Sequence, residues 1–200
     1  MVKFIYAVSV VLLITGVCRA QDKPDNKVGV LFAVGASTIA PAQSSDGFEH
    51  SYDPGFCLHI IGYYNYFFTE HLVLEPGFGF IANNFTEQLT VGTAGAKVGY
   101  EVKNTYLALP ITVQYVFNKI RVGIGPEVNY LIRTKSDRYD VVNFTDFTYG
   151  LSTLVDYKVS YFRIGLNYKM SFAKTFDPAT NIFDKSGKYQ NLLLTFRYEL

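Results

Sequence analysis

Between positions 106 and 133 the chain alternates apolar and other residues almost without a break, and only an extended backbone accommodates that pattern. Leu107, Leu109, Ile111, Val113, Tyr115 and Phe117 fall on one side, with Ala108, Pro110, Thr112 and Gln114 on the other. Beyond Asn118, Ile120, Val122, Ile124, Pro126, Val128, Tyr130 and Ile132 alternate with Arg121, Gly123, Gly125, Glu127, Asn129, Leu131 and Arg133. A period of two is a β-strand. One side is continuously apolar and the other holds Arg, Glu and Gly. A strand with hydrocarbon on one face and a crowded polar interior on the other needs that division.

Six further stretches alternate in the same way, giving expected strands at 28–37, 56–68, 72–81, 106–117, 119–133, 147–157, 160–172 and 191–200. The connections alternate too. Those at 69–71, 118–119 and 158–159 have hairpin length, whereas those at 39–55, 82–105, 134–146 and 173–190 are long and rich in Gly, Asp, Ser, Thr and Asn. Register supports the scheme. A turn at Asn118-Lys119 opposes Phe117 to Ile120, Tyr115 to Val122, Val113 to Ile124 and Leu109 to Val128, whereas a slip of one residue would break the match. The turn at 69–71 opposes Phe68 to Leu72 and Tyr66 to Leu74. A turn at Lys158-Val159 is expected to oppose Tyr157 to Ser160, Val155 to Phe162, Thr153 to Ile164 and Leu151 to Leu166.

Energetic cost decides which face meets lipid. A basic side chain turned to mid-membrane costs about 2–4 kcal/mol, so Arg121, Arg163, Lys169 and Arg197 point inward. Leu72, Leu74, Phe78, Phe80, Phe162, Ile164, Leu166, Leu192, Leu194 and Phe196 then point outward. Gly29, Gly35, Gly77, Gly79, Gly123, Gly125 and Gly165 share the inward face, as a crowded interior requires. Eight strands enclose a space that side chains just fill. Glu75, Glu127, Asp156 and Glu199 are expected to pair there with the four basic residues, assisted by Gln114, Asn65, Asn129 and Asn167. Two aromatic girdles are expected: Tyr64, Tyr66, Phe68, Tyr115, Phe117 and Tyr157 near the short turns, and Tyr106, Tyr130, Phe147, Tyr149, Tyr168 and Phe172 near the long loops.

The first twenty residues read differently. Lys3, an apolar run over 4–17 and Cys18-Arg19-Ala20 form a secretory signal peptide, leaving 21–200 as the barrel domain. Val17 before Cys18 is a poor match to a lipoprotein signal. The full chain carries 18 basic and 17 acidic residues; loss of Lys3 and Arg19 leaves it almost neutral, which offers nothing to nucleic acid. Cleavage also leaves Cys57 as the single cysteine, so neither an internal disulfide nor a thiolate zinc site is expected. No mature segment is apolar for long enough to form a membrane helix.

Three segments carry a resemblance. Tyr106-Leu-Ala-Leu-Pro-Ile-Thr-Val-Gln-Tyr115 with Val122-Gly-Ile-Gly-Pro-Glu-Val-Asn-Tyr130, the segment Leu72-Val-Leu-Glu-Pro-Gly-Phe78, and the closing Asn191-Leu-Leu-Leu-Thr-Phe-Arg-Tyr198 are together similar to the PorT-like outer-membrane β-barrel family of Gram-negative bacteria. The likeness runs from about Val28 to Leu200. It implies an envelope barrel, inserted by the barrel-assembly machinery, in a family whose founding member is linked to protein secretion. The chain departs from that pattern by ending on Leu200 rather than an aromatic residue, although Phe196 and Tyr198 keep the alternation.

Residues suited to chemistry are few. His50 stands beside Glu49 and near Asp46 and Asp53, a sketch of a cation site in what otherwise reads as a solvated loop. His59 faces inward near Cys57 and is expected to be a hydrogen-bonded lumen histidine; His71 lies in a short turn. Serines 44, 45, 51, 136 and 152 have no accompanying base in a recognisable motif. Gly92-Thr-Ala-Gly95 and Gly123-Ile-Gly125 do not introduce helices and are not phosphate loops. The sequons Asn84-Phe-Thr86 and Asn143-Phe-Thr145 mean little in a bacterial exporter.

The sequence therefore leads us to expect an all-β, eight-stranded antiparallel up-and-down transmembrane barrel with a filled polar lumen. It would be a monomer in outer-membrane lipid with both termini in the periplasm, without catalytic, cofactor or metal residues. Its role would be structural, in surface contact through the long loops with an extracellular or envelope protein, or accessory to export. The alternatives are an exported, soluble, lipocalin-like binder of a hydrophobic ligand and a narrow channel.

Overall fold

Each alternating stretch becomes a strand, and the ends of the sheet meet. The computed structural model describes residues 24–40, 50–91, 96–136, 144–173 and 187–200; the expected signal peptide at 1–20 lies outside them. The strands are β1 (Lys27–Ala40), β2 (His50–Phe67), β3 (Leu72–Val91), β4 (Ala96–Phe117), β5 (Ile120–Ser136), β6 (Phe147–Val159), β7 (Phe162–Ser171) and β8 (Lys188–Glu199). All neighbours are antiparallel, and β8 returns to β1 to close the barrel. Closure removes the free edges that an open sheet would present to lipid.

The facing derived from charge cost holds. Val113, Ile124, Phe80, Leu166 and Leu192 are each about half exposed, while Arg121 and Arg197 retain 1% and 3% of their surface. A soluble binder needs the apolar face turned inward, so these exposures overturn that alternative. The interior is crowded: a Cβ placed on Gly125 would collide with the Ile111 carbonyl oxygen across the ladder.

Two of the three short hairpins adopt the expected register, with Val113 opposite Ile124 and Tyr66 opposite Leu74. Asn118 takes a φ of 54°, which Asn tolerates and a two-residue hairpin demands. The third hairpin differs. Its turn lies at Ser160 and Tyr161, with Ser160 at a φ of 57°, so Val155 opposes Leu166 and Tyr157 opposes Ile164. Moving the turn by two residues keeps every side chain on its face, so alternation alone does not distinguish the two registers.

The second long connection is also mostly strand. β3 and β4 remain paired through residues 82–91 and 96–105, and residues 50–54 of β2 join them. On the other flank β5 continues to Ser136. Four strands thus rise beyond the level at which β6 and β7 end. In the sequence, polar residues such as Asn83, Asn84, Glu87 and Gln88 masked a period of two that never stopped.

Candidate functional site

The lumen is stacked in three zones, each assembled from inward-facing positions of several strands. Nearest the short turns lies an ionic cluster. Arg197 donates to Glu75 at 2.6 Å, Arg121 to Glu199 at 2.9 Å and Arg163 to Asp156 at 2.9 Å. Longer contacts knit these pairs together: Arg163 Nε to Glu199 at 3.4 Å, Arg197 Nε to Asp156 at 3.6 Å and Arg121 to Glu75 at 3.7 Å. The Arg197 guanidinium also lies 5.1 Å from the centre of the Tyr63 ring. Three guanidinium groups meet three carboxylates, so charges that would be costly alone are shared.

The middle zone is polar with fewer charges. Lys169 pairs with Glu127, which also accepts from Asn129 at 3.1 Å. Asn167 donates to Ser152 at 3.1 Å. His59 is fully buried here with the Asn83 side chain beside it, as expected of a lumen histidine. Of the expected amide helpers, Asn65 reaches Glu199 at 3.2 Å, whereas Gln114 donates to Thr112 at 2.8 Å rather than to a charge.

At the long-loop end apolar and aromatic side chains fill much of the lumen, with a few buried polar groups among them. Ile39, Phe85, Val102, Tyr106, Phe144 and Tyr189 are buried, with Tyr52 and Leu131 packed against them. Edge-on ring contacts link Tyr52 to Phe85, Phe85 to Tyr189 and Tyr189 to Tyr106, with centres 5.8–6.0 Å apart. Asn104 donates to the Tyr189 hydroxyl at 2.7 Å and to the Tyr106 hydroxyl at 3.4 Å, which gives partners to two polar tips of this apolar cap. Tyr106 therefore belongs to the lumen and not to a girdle. Its even position, in phase with Ala108, already placed it there. Leu131 likewise was read on the inward side of a strand, whereas the remaining members of the cap were hidden within segments read as loops.

Two lumen cavities, one between the cap and the Lys169–Glu127 pair and one between His59 and Arg197, each amount to about 20 Å³. Each has room for about one water. Outside the wall, Tyr130, Phe147, Tyr149, Tyr168 and Phe172 ring the long-loop end, and Tyr64, Tyr66, Tyr115, Phe117 and Tyr157 the other.

The sketched cation site does not assemble among the described residues. Asp53 accepts from Gln88 at 2.7 Å, and Asp46 and Glu49 lie outside them. His71 Nδ1 lies 3.0 Å from the Val116 carbonyl. Ser152 is bonded within the lumen, and serines 44 and 45, Gly92-Thr-Ala-Gly95 and Asn143 fall outside the described residues.

A closed ring with an apolar belt, aromatic rims and a packed lumen defines a small outer-membrane β-barrel. The chain belongs to the family described as outer membrane protein beta-barrel domain, whose model matches residues 20–198. Among solved structures it is similar to the outer membrane protein OprG of Pseudomonas aeruginosa, with a TM-score of 0.54 and 14% identity over 90% of this chain and 99% of that one. It is also similar to Neisserial surface protein A, with a TM-score of 0.56 and 12% identity over 88% and 100%. These likenesses concern the fold. No curated protein matches the chain.

Proposed function

We propose that this protein is a non-catalytic, non-conducting barrel of the PorT-like kind, acting through the wall that rises above the membrane. The signal peptide at 1–20 is removed and the barrel-assembly machinery inserts the mature chain as a monomer. Both termini and the short turns face the periplasm, and the extended β2–β5 wall faces the exterior. One observation carries the reading: the lumen is closed at both ends, by the apolar cap and by the ionic cluster, leaving the rim as the place for contact. The role is surface contact or an accessory part in export, as the resemblance implies.

Planar-bilayer recording tests the closed lumen. Purified barrel should insert without discrete openings; reproducible unitary steps would contradict the proposal and favour a narrow channel.

A further inference from the structure

A bulge near the rim of β5 re-aims its basic residues. Up to Tyr130 the outward positions of this strand are even-numbered, and Leu131 opposes the buried Tyr106. The register then shifts so that Arg133 opposes Thr105, Thr134 opposes Asn104 and Lys135 opposes Lys103. Thr134 donates to Asn104 at 2.8 Å inside, so Arg133, Lys135 and Lys103 stand on the outer face, and all three are exposed. Bulges commonly serve to redirect a side chain in this way.

Like charges set directly opposite across a ladder repel, and Lys103 and Lys135 are so placed. Glu101 relieves one of them, reaching Lys103 at 2.9 Å. The described ladder partners of Arg133 and Lys135 are Thr105 and Lys103, and neither supplies a counter-charge. The height of the cluster is informative. Tyr130 and Phe147, in ring contact at 4.8 Å, mark the interface. With strands rising about 3.4 Å per residue at about 40° of tilt, and the bulge adding no advance along the ladder, Arg133 and Lys135 sit roughly 5 and 10 Å beyond that belt. That is headgroup level.

We infer that Lys103, Arg133 and Lys135 form a binding site for the phosphoryl groups of outer-leaflet glycolipid. Arg offers a planar fork to phosphate and the two lysines add point charges, while an anion between the lysines relieves their repulsion. The inference rests on the orientation proposed above, because only the external leaflet offers that glycolipid.

The test uses the full mature barrel reconstituted in phosphatidylcholine vesicles carrying either bisphosphorylated or dephosphorylated lipid A. Folding is checked first by gel mobility without boiling. The bisphosphorylated form should bind about tenfold tighter or more, and higher salt should weaken it. The variant K103Q/R133Q/K135Q should lose that preference, while K119Q/K158Q, altered at the other end, should keep it. Equal preference in wild type and the triple variant would overturn the site. In parallel, Lys97→Cys on whole cells should react with an impermeant maleimide, with buried Cys57 silent. Phosphate preference without surface labelling would overturn the orientation and the glycolipid assignment with it, leaving a site for anionic inner-leaflet headgroups.

Discussion

Arg197 touches both Glu75 and Asp156 and covers the Tyr63 ring, so the charge balance of the lumen depends on it. Arg197→Met leaves those carboxylates short of a partner in a buried setting, a loss of about 3–5 kcal/mol. Adding Glu75→Gln should recover part of it. Urea unfolding of vesicle-inserted protein, followed by circular dichroism, is the measurement; equal midpoints for Arg197→Met and the parent would contradict the role. The sequence revealed which charges turn inward, because exposing Arg121 or Arg197 to hydrocarbon is prohibitive. It did not reveal the partners. Gln114 bonds Thr112 rather than a charge, because the vertical zoning of the lumen depends on the stagger between strands, which alternation does not encode.

At the level of strands, glycine marks where two backbones come close. Gly125→Val should destabilise the barrel, since its side chain would meet the Ile111 carbonyl, whereas Gly62→Val on the outer wall meets only the Phe78 carbonyl at 3.7 Å and should be tolerated. Gel-shift melting temperatures compare them; a similar fall for both would contradict the facing. The β6–β7 register has its own test. Cysteines replacing Val155 and Leu166 should cross-link, since opposed Cα atoms in an antiparallel pair lie about 4.5–5.5 Å apart. Cysteines at Val155 and Phe162 should not, and the reverse result would restore the turn at Lys158-Val159. That turn was misplaced because Ser160 is a weak signal for a left-handed residue, whereas Asn118 is a strong one. Residues 82–105 were taken for a loop because polarity was weighed above phase: Phe85 stays in step with Ile81, and Val102 with Tyr106.

The whole molecule inverts the usual globular arrangement. The charges within its lumen are buried and paired, its apolar side chains form the outer wall, and the ring has no edge. Alternation and connection lengths made this architecture legible, but the apolar cap was not, since it is built from Ile39, Tyr52, Phe85 and Tyr189 on four different strands. The central claim is that hydrocarbon, rather than water, covers the face bearing Val113 and Ile124. The most direct measurement is refolding of the urea-denatured mature chain with and without lipid vesicles. The account predicts β-structure and a fast-migrating unboiled gel band only with vesicles; a folded, monomeric chain in lipid-free buffer would contradict it.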